Sequence, residues 1–349
     1  MNQQSGQNPA GDGLGFSIVA TVRNEAATIR SFVDSLLAQE RTPDEIIIVD
    51  GNSTDGTTEI LREYAGEGSI RLISRECNIA QGRNLGIGQA HGAYIAVTDA
   101  GCAVDPRWLL HIAECFASDE RPDVVAGNFR FECSTEFEQA VVYATFPIER
   151  DNTPAARYYP SSRSVAFRKD AWEACGGYPE WLYAAEDTLF NIRLRHLGFR
   201  FCFCRDAIVR WRPRETWKAL ARQRINFARG NARVGIGTSG YVTNIQYHLA
   251  ILLPLALMPL WAPAGLLSLG AALLHVRRHL WSQANQAASR SARKSMLWRV
   301  LLVMEFVRLV NIWGFLLGRW DRLTDRSFIR NQFAWMGVRS VDELPEEPR

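Results

Sequence analysis

A 349-residue chain that is 47% apolar and 22% charged can build a sizeable core, which excludes a disordered or collagen-like protein. Its net charge of +3, with no basic run interleaved with aromatics, excludes a dedicated nucleic-acid binder. The seven cysteines are scattered. Cys202 and Cys204 form C-x-C among apolar neighbours, with no second Cys/His pair at zinc-ligand spacing, so reduced thiols in a cytosolic setting are expected.

In chain order, residues 1–14 are rich in Gly, Gln and Asn and read as a disordered tail, without the apolar core of a signal peptide. From "FSIVATV" onward, strand-like runs alternate with helical patterns: "AATIRSFVDSLLAQ", "EIIIVD", "TTEILREYA", "IRLIS", "IAQGRNLGIGQA", "AYIAVTDAG" and "PRWLLHIAECFA". That alternation predicts an α/β domain with a mainly parallel sheet covered by helices. Around residues 124–215 the rhythm loosens into "DVVAGNFRF", "EQAVVYATF", a loop "YYPSSRSVAFRKD", the turn "GGYPE" and the helix-like "AEDTLFNIRLRHLG". This reads as the second half of the same domain, where the sheet gains mixed strands.

Past residue 215, "TWKALARQRINFARGNARV" is a basic helix on which Arg222, Asn226, Arg229 and Arg233 share one face, a stripe suited to a lipid pyrophosphate or an anionic membrane surface, or simply to snorkelling arginines. Leu249–Leu274 contains no charge and is longer than the roughly 20 residues a bilayer span needs, but Pro254, Pro259 and Pro263 interrupt it. A second apolar segment, Val300–Gly318, carries Glu305, Arg308 and Asn311 at i, i+3, i+6 as a narrow polar seam. Arg277, Arg278, Arg290, Arg293 and Lys294 lie between the segments, and Arg319, Arg322, Arg326 and Arg330 follow them. Positive flanks face the cytoplasm, which a single straight span cannot satisfy. The expectation is a monotopic arrangement, against a two-span rival that would export the 277–295 loop: a hairpin bent near Met258–Gly265 with arms re-entrant or shallow, and an interfacial helix over Val300–Gly318, within a membrane-associated region 236–330 that precedes a tail, 331–349.

Four stretches carry chemistry. "EIIIVDGNSTDGT" ends a buried-type strand on Asp50 before a polar turn and a helix, so Asp50 either faces a ligand outside the carboxyl end of the strand or only shapes the loop. "VTDAG" places Asp99 at another strand end, where a divalent cation would stand between it and a phosphorylated ligand. "ATVRNE" closes the first strand on Glu25, a ligand contact or a helix cap. In "AAEDTLF", Glu186 and Asp187 begin a helix, either as favourable dipole partners or as a general base.

The ordered set "VATVRNE", "VDGNSTDGT", "GRNLGI", "VTDAG" and "AED" resembles the family-2 glycosyltransferases, inverting GT-A enzymes that use nucleotide-diphosphate sugars. The resemblance covers about residues 16–235 and implies a catalytic domain over 15–235. It implies that Glu25, Asp50, Arg83 and Asn84 surround the nucleotide, with Asp50 accepting from a uracil or thymine N3–H. It places the metal motif on Asp99, with Mg²⁺ or Mn²⁺ as cofactor, and the catalytic pair on Glu186 and Asp187, the latter as base. Two departures stand out: the metal motif reads Asp99-Ala100-Gly101, with one carboxylate, and Trp211 stands where a histidine is often found. Gln223, Asn226 and Phe227 depart from the Q-x-x-R-W of processive synthases, which favours transfer of a single sugar.

The expected activity is transfer of a hexose from a UDP-linked donor to a membrane- or lipid-linked saccharide, in cell-surface polysaccharide biosynthesis at the cytoplasmic face of the membrane. Two rivals stay open. A nucleotidyltransferase would want a glycine-rich loop with a lysine after strand one, which "ATVRNEAATI" lacks. A non-catalytic nucleotide-binding membrane protein is supported by Gly101 and Trp211 and opposed by the Glu186-Asp187 pair.

Overall fold

The computed structural model describes residues 14–146, 159–340 and 343. The expected tail therefore lies outside the described residues up to position 13. The chain divides into two compact units, one of residues 1–132, 151–212 and 335–349 and the other of residues 133–150 and 213–334. The division falls ahead of the basic helix rather than at residue 235, because that helix is packed among the C-terminal helices.

In the first unit, β1 (Phe16–Val22), α1 (Ile29–Leu37), β2 (Glu45–Asp50), α2 (Thr57–Gly66), β3 (Arg71–Ser74), α3 (Ile79–Gly88) and β4 (Tyr94–Asp99) alternate as the sequence predicts. A three-residue strand, β5 (Cys102–Val104), follows at once, then α4 (Trp108–Ala117) and β6 (Val124–Phe131). After α5 (Glu136–Thr145), which belongs to the second unit, come β7 (Val165–Arg168), α6 (Lys169–Cys175), α7 (Glu186–His196) and β8 (Phe201–Trp211). The eight strands form one sheet in the order β3-β2-β1-β4-β7-β6-β8-β5. The first four are parallel and β7 runs antiparallel between β4 and β6, so the sheet is mixed.

The parallel half is hydrophobic on both faces: Ile18, Val19, Ile47, Ile48, Ile95 and Val97 are fully buried, which is why these strands read as unbroken apolar runs. The segment "YYPSSRSVAFRKD" is not all loop, because its "VAFR" is the central strand β7. Four residues behind a serine-rich lead are too short for periodicity to reveal; the pairing with β4 and β6 makes the strand. Helix α3 lies unusually close to β1. A Cβ on Gly86 would stand 2.6 Å from Val19 Cγ1 and one on Gly82 2.8 Å from Thr21 Cγ2, so the glycines of "GRNLGIG" are what let the helix, and Arg83 with it, approach the strand ends.

The second unit is helical: α5, α8 (Trp217–Val234), α9 (Thr238–Leu257), α10 (Ala264–His275), a π-helical turn (Val276–Leu280), α11 (Trp281–Ser291), α12 (Lys294–Thr324) and the start of α13 (Ser327–Met336). The apolar run 249–274 is two helices broken over residues 258–263, where the prolines predicted the bend. Ser268 Oγ donates to the Ile251 carbonyl (2.7 Å), joining the two arms. Helices α8 and α12 meet along a seam of small residues: a Cβ on Gly318 would lie 2.3 Å from the Arg229 carbonyl oxygen and one on Gly314 2.5 Å from that of Ile225.

Two expectations change here. Residues 331–336 are helical rather than part of a tail, and Trp335 packs against the core of the first unit through its apolar ring. The Glu305–Arg308–Asn311 seam is drawn into contacts within the helical unit. Glu305 is bonded to His248 and His275, and Arg308 to Asn244 and the His279 carbonyl, because half-buried polar groups on α12 find partners on α9, α10 and the π-helical turn.

Candidate active site

The registers bring the acidic strand ends to one level. Val22 pairs with Asp50 and Thr21 with Asp99, so Asp50 and Asp99 close β2 and β4 on either side of the end of β1. This carboxyl edge of the parallel strands is where open α/β sheets hold ligands.

Asp99 and Glu186 meet on Arg83. The Arg83 guanidinium donates to Asp99 Oδ1 (2.7 Å) and to Glu186 Oε1 (2.8 Å), lies over the Tyr178 ring (5.3 Å) and is only 2% exposed. Burial acts to lower the Arg83 pKa, but the two carboxylates outweigh it and hold the group above the ordinary guanidinium value. Glu186 moves the other way: burial, then the neighbouring Asp187, push it up to about 7 against the pull of Arg83. Asp187, next along α7, is part-buried. Its Oδ1 accepts from Thr188 N (2.7 Å), while Oδ2 has no donor among the described residues. Ala185 just before them has φ 69°, a left-handed conformation rare without glycine or asparagine. Backbone held this way at the head of a helix is a mark of functional sites.

Two site residues are otherwise engaged. Asp50 is fully buried and accepts from Ser53 N (3.1 Å), Ser53 Oγ (2.6 Å) and Thr58 Oγ1 (2.5 Å). Oδ1 holds the 51–57 loop at Ser53 and Oδ2 the head of α2 at Thr58, the loop-shaping role, and a further acceptor position remains on Oδ2. Asn84 is spent: its Nδ2 donates to the Tyr178 carbonyl and Glu180 Oε1 (both 2.9 Å), and its Oδ1 accepts from Tyr178 N (2.7 Å) and Trp172 Nε1 (3.1 Å). Those four bonds use its whole capacity, so it fixes the 172–180 segment and does not face a nucleotide.

Glu25 lies on the facing loop, part-buried, accepting from Thr28 Oγ1 (2.9 Å). The two loops are laced together: Asn24 N donates to Ser53 Oγ (2.9 Å), Thr54 N to Asn24 Oδ1 (2.9 Å) and Glu25 N to Thr57 Oγ1 (2.8 Å). The "NSTDGT" turn is thus a platform built from side chains.

The residues fit a metal through a narrow donor set. Asp99 Oδ1 is taken by Arg83 and Oδ2 remains; Gly101 offers no carboxylate, and the space a Cβ would occupy there is open. The place of the family histidine is filled by aromatic packing, since Trp211 makes an edge contact with Phe129 (6.0 Å) and Arg163 lies 4.1 Å over its ring. One carboxylate oxygen with diphosphate oxygens and water is a sufficient set for Mg²⁺ or Mn²⁺.

Arg163 is a cation the sequence reading missed. Burial pushes the Cys102 thiol up to about 12, with Asp99 and Glu25 adding and Arg163 opposing, so all three charges are felt at that thiol. A lone arginine in "SSRSV" gives no sequence signal.

The arginine stripe of α8 divides. Arg229 makes a bidentate pair with Asp321 (2.6 and 2.8 Å), and Arg233 reaches the same carboxylate (2.7 Å). They bind α8 to α12 through an acid 92 and 88 residues further along the chain, which meets them only in the fold. Arg222 is exposed and carries no ion pair among the described residues.

A cleft of about 590 Å³ lies beyond α3, lined by Arg75, Gln81, Trp172 and Glu180 among others, and it includes neither Asp99 nor Glu186. The charges converge elsewhere, at the strand ends.

A mixed α/β sheet flanked by helices, with acids and a buried arginine gathered at the carboxyl edge of its parallel strands, defines the GT-A class of domain. Residues 17–175 match the family model for glycosyl transferase family 2. Glycosyltransferase AglE of Haloferax volcanii is 25% identical over 224 residues, covering 62% of this chain and 73% of that protein. A poly-beta-1,6-N-acetyl-D-glucosamine synthase of Staphylococcus epidermidis is 26% identical over 228 residues, 63% of this chain and 55% of the synthase, so this chain matches about half the length of that relative. Mannosyltransferase PcManGT of Pyrobaculum calidifontis, solved with GDP-Man and Mn²⁺, shares the fold with a TM-score of 0.52 at 18% identity, over 86% of this chain and 87% of that one.

Proposed function

We propose that the chain is an inverting, metal-assisted glycosyltransferase that moves a single hexose from a UDP-linked donor to a hydroxyl of a lipid- or membrane-linked saccharide. The observation that carries this reading is the Asp187 carboxylate, with one oxygen left open, next to the buried Arg83–Asp99–Glu186 cluster. Asp187 takes the proton of the attacking hydroxyl. Glu186 and Asp99 hold Arg83, and Arg83 in turn fixes where both acids stand. Glu25, with the laced 24–28 and 51–57 loops, receives the nucleoside, and Asp50 keeps that platform in shape. Asp99 Oδ2 is the protein ligand for the divalent ion, which when bound neutralises charge on the leaving diphosphate. One displacement needs no nucleophile from the protein.

The donor class is supported by the relatives: the structural neighbour was solved with GDP-Man and the staphylococcal relative is named for a polysaccharide product. Membrane association is supported by the surface of the helical unit. Leu260, Leu266 and Leu323 are 87%, 73% and 70% exposed, and Trp298, Trp313 and Trp320 are exposed along α12. Leu255, Leu257, Met258, Leu260 and Trp261 are exposed in one run, and contiguous apolar exposure marks a membrane or partner face. Among the described residues, α12 is the one helix long and apolar enough to cross a bilayer, with a mean hydropathy of 1.9. The reading is that the unit lies on the cytoplasmic face, with α9 and α10 as a shallow hairpin.

A panel of nucleotide sugars assayed for nucleotide release, with lipid-phosphate sugars as acceptors, tests the activity. Release that depends on both a UDP-sugar and a lipid acceptor is expected; donor binding without transfer to any acceptor would favour the non-catalytic rival. Topology is tested at Ser289, which is exposed on α11. A Ser289→Cys variant in a cysteine-depleted background should resist an impermeant reagent outside intact cells, and labelling there would overturn the monotopic reading.

A further inference from the structure

The helical unit has its own cluster of ligand-type side chains, independent of the transferase reading. His248 on α9, His275 at the end of α10 and Glu305 on α12 each present one atom, and the three atoms lie within 4.8 Å of one another. His248 Nε2 is 2.8 Å from Glu305 Oε1, and His275 Nε2 is 3.0 Å from Glu305 Oε2. Both histidines are buried, with side chains 11% and 3% exposed, while Glu305 is 35% exposed.

The hydrogen bonds around His248 define which nitrogen faces the cluster with a lone pair. Its Nδ1 stands 2.8 Å from the Asn244 backbone carbonyl, an acceptor with no proton to give, so Nδ1 carries the hydrogen. A neutral ring then turns the Nε2 lone pair toward a carboxylate oxygen. Two electron-rich atoms at that distance need a cation bonded between them, either a proton or a metal. An Nδ1–H bonded to a main-chain carbonyl is also the outer-shell arrangement that fixes metal-binding histidines. At His275, Nδ1 is buried and without a partner, an expense hard to account for if the ring served only packing. The helix widens into its π turn directly after His275, a distortion found mostly at functional positions.

We infer that His248, His275 and Glu305 form a three-ligand site for one divalent transition-metal ion of the zinc class, pinning α9, α10 and α12 together. Two imidazoles and one carboxylate are a borderline-soft donor set that suits zinc, at ligand distances of about 2.0–2.2 Å, and leave a fourth position for water. Ligand atoms now in hydrogen-bond contact would have to part by only a few tenths of an ångström to admit the ion. The site is distinct from Asp99, whose single carboxylate and phosphate partners suit a hard cation.

The test uses full-length protein in detergent, stripped with chelator and titrated with Zn²⁺ in the absence of nucleotide. One equivalent is expected to bind, to raise the melting temperature, and to remain in an Asp99→Asn variant. Co²⁺ in its place should give the visible absorption of a four-coordinate nitrogen–oxygen site. His248→Gln and His275→Gln should each weaken binding on the order of 100-fold or more while keeping helical circular dichroism and UDP binding. The wild-type protein decides the matter even where a variant misfolds: absence of zinc uptake, or uptake with no melting shift, would mean that a proton bridges the cluster and would overturn the inference. Uptake unchanged in both folded histidine variants would do the same.

Discussion

Each unit buries a three-member charge cluster, and the two are built with opposite sign. In the sheet unit a single cation, Arg83, stands between two acids, Asp99 and Glu186. In the helical unit a single acid, Asp321, stands between two cations, Arg229 and Arg233. The difference lies in what surrounds them. Arg83 is 2% exposed and has a further acid, Asp187, beside it with an oxygen open, so the cluster lends its charge to a site. Arg229 is 40% exposed and its cluster closes on Asp321 across a glycine seam, so it holds α8 against α12.

The largest effect expected from breaking this contrast is at Asp187. Asp187→Asn should lower turnover about 10²–10⁴-fold, the range for a lost general base, and leave donor affinity unchanged by titration calorimetry. Wild-type turnover in that variant would move the base to Glu186. Next come the clusters themselves. Arg83→Met strands two buried acids and should cost about 3–5 kcal/mol in denaturant unfolding, whereas Asp321→Ala leaves partly solvated arginines and should cost about 1 kcal/mol. Equal costs would erase the distinction between a buried hub and a solvated clamp.

Glu186 sharpens the comparison through pH. Its folded pKa, about 7, lies above the ordinary 4.5, so the folded state holds the proton more tightly. The stability it contributes is fully present below about 4.5 and is lost as pH rises through about 7. Melting temperature between pH 5 and 8 should therefore fall further for the wild type than for Glu186→Gln, and an identical slope in the two would remove Glu186 from the account. The smallest effect is at Gly101, where the structure has room. Gly101→Asp should fold normally and tighten Mn²⁺ binding in the presence of UDP by about tenfold, since a second carboxylate adds charge to the donor set.

The residue order already determined a good deal about this protein. Isoleucine runs that stop on aspartate gave strands and their ends, because a doubly covered parallel strand must be apolar on both faces. Local pattern put Asp99 at the end of a strand and Glu186–Asp187 at the head of a helix, and the prolines gave the break between α9 and α10. Tertiary structure alone decided which polar groups were left over for a ligand. Asn84 has the right identity and neighbourhood, but hydrogen-bond capacity is finite, and Trp172, Tyr178 and Glu180 had claimed it. The same holds for Arg229 and Arg233, whose partner lies 92 and 88 residues away, and for β7, which is a strand because β4 and β6 need one between them. Local patterns encode backbone and burial. Saturation of a side chain depends on what arrives from elsewhere in the chain, and no window of sequence contains that.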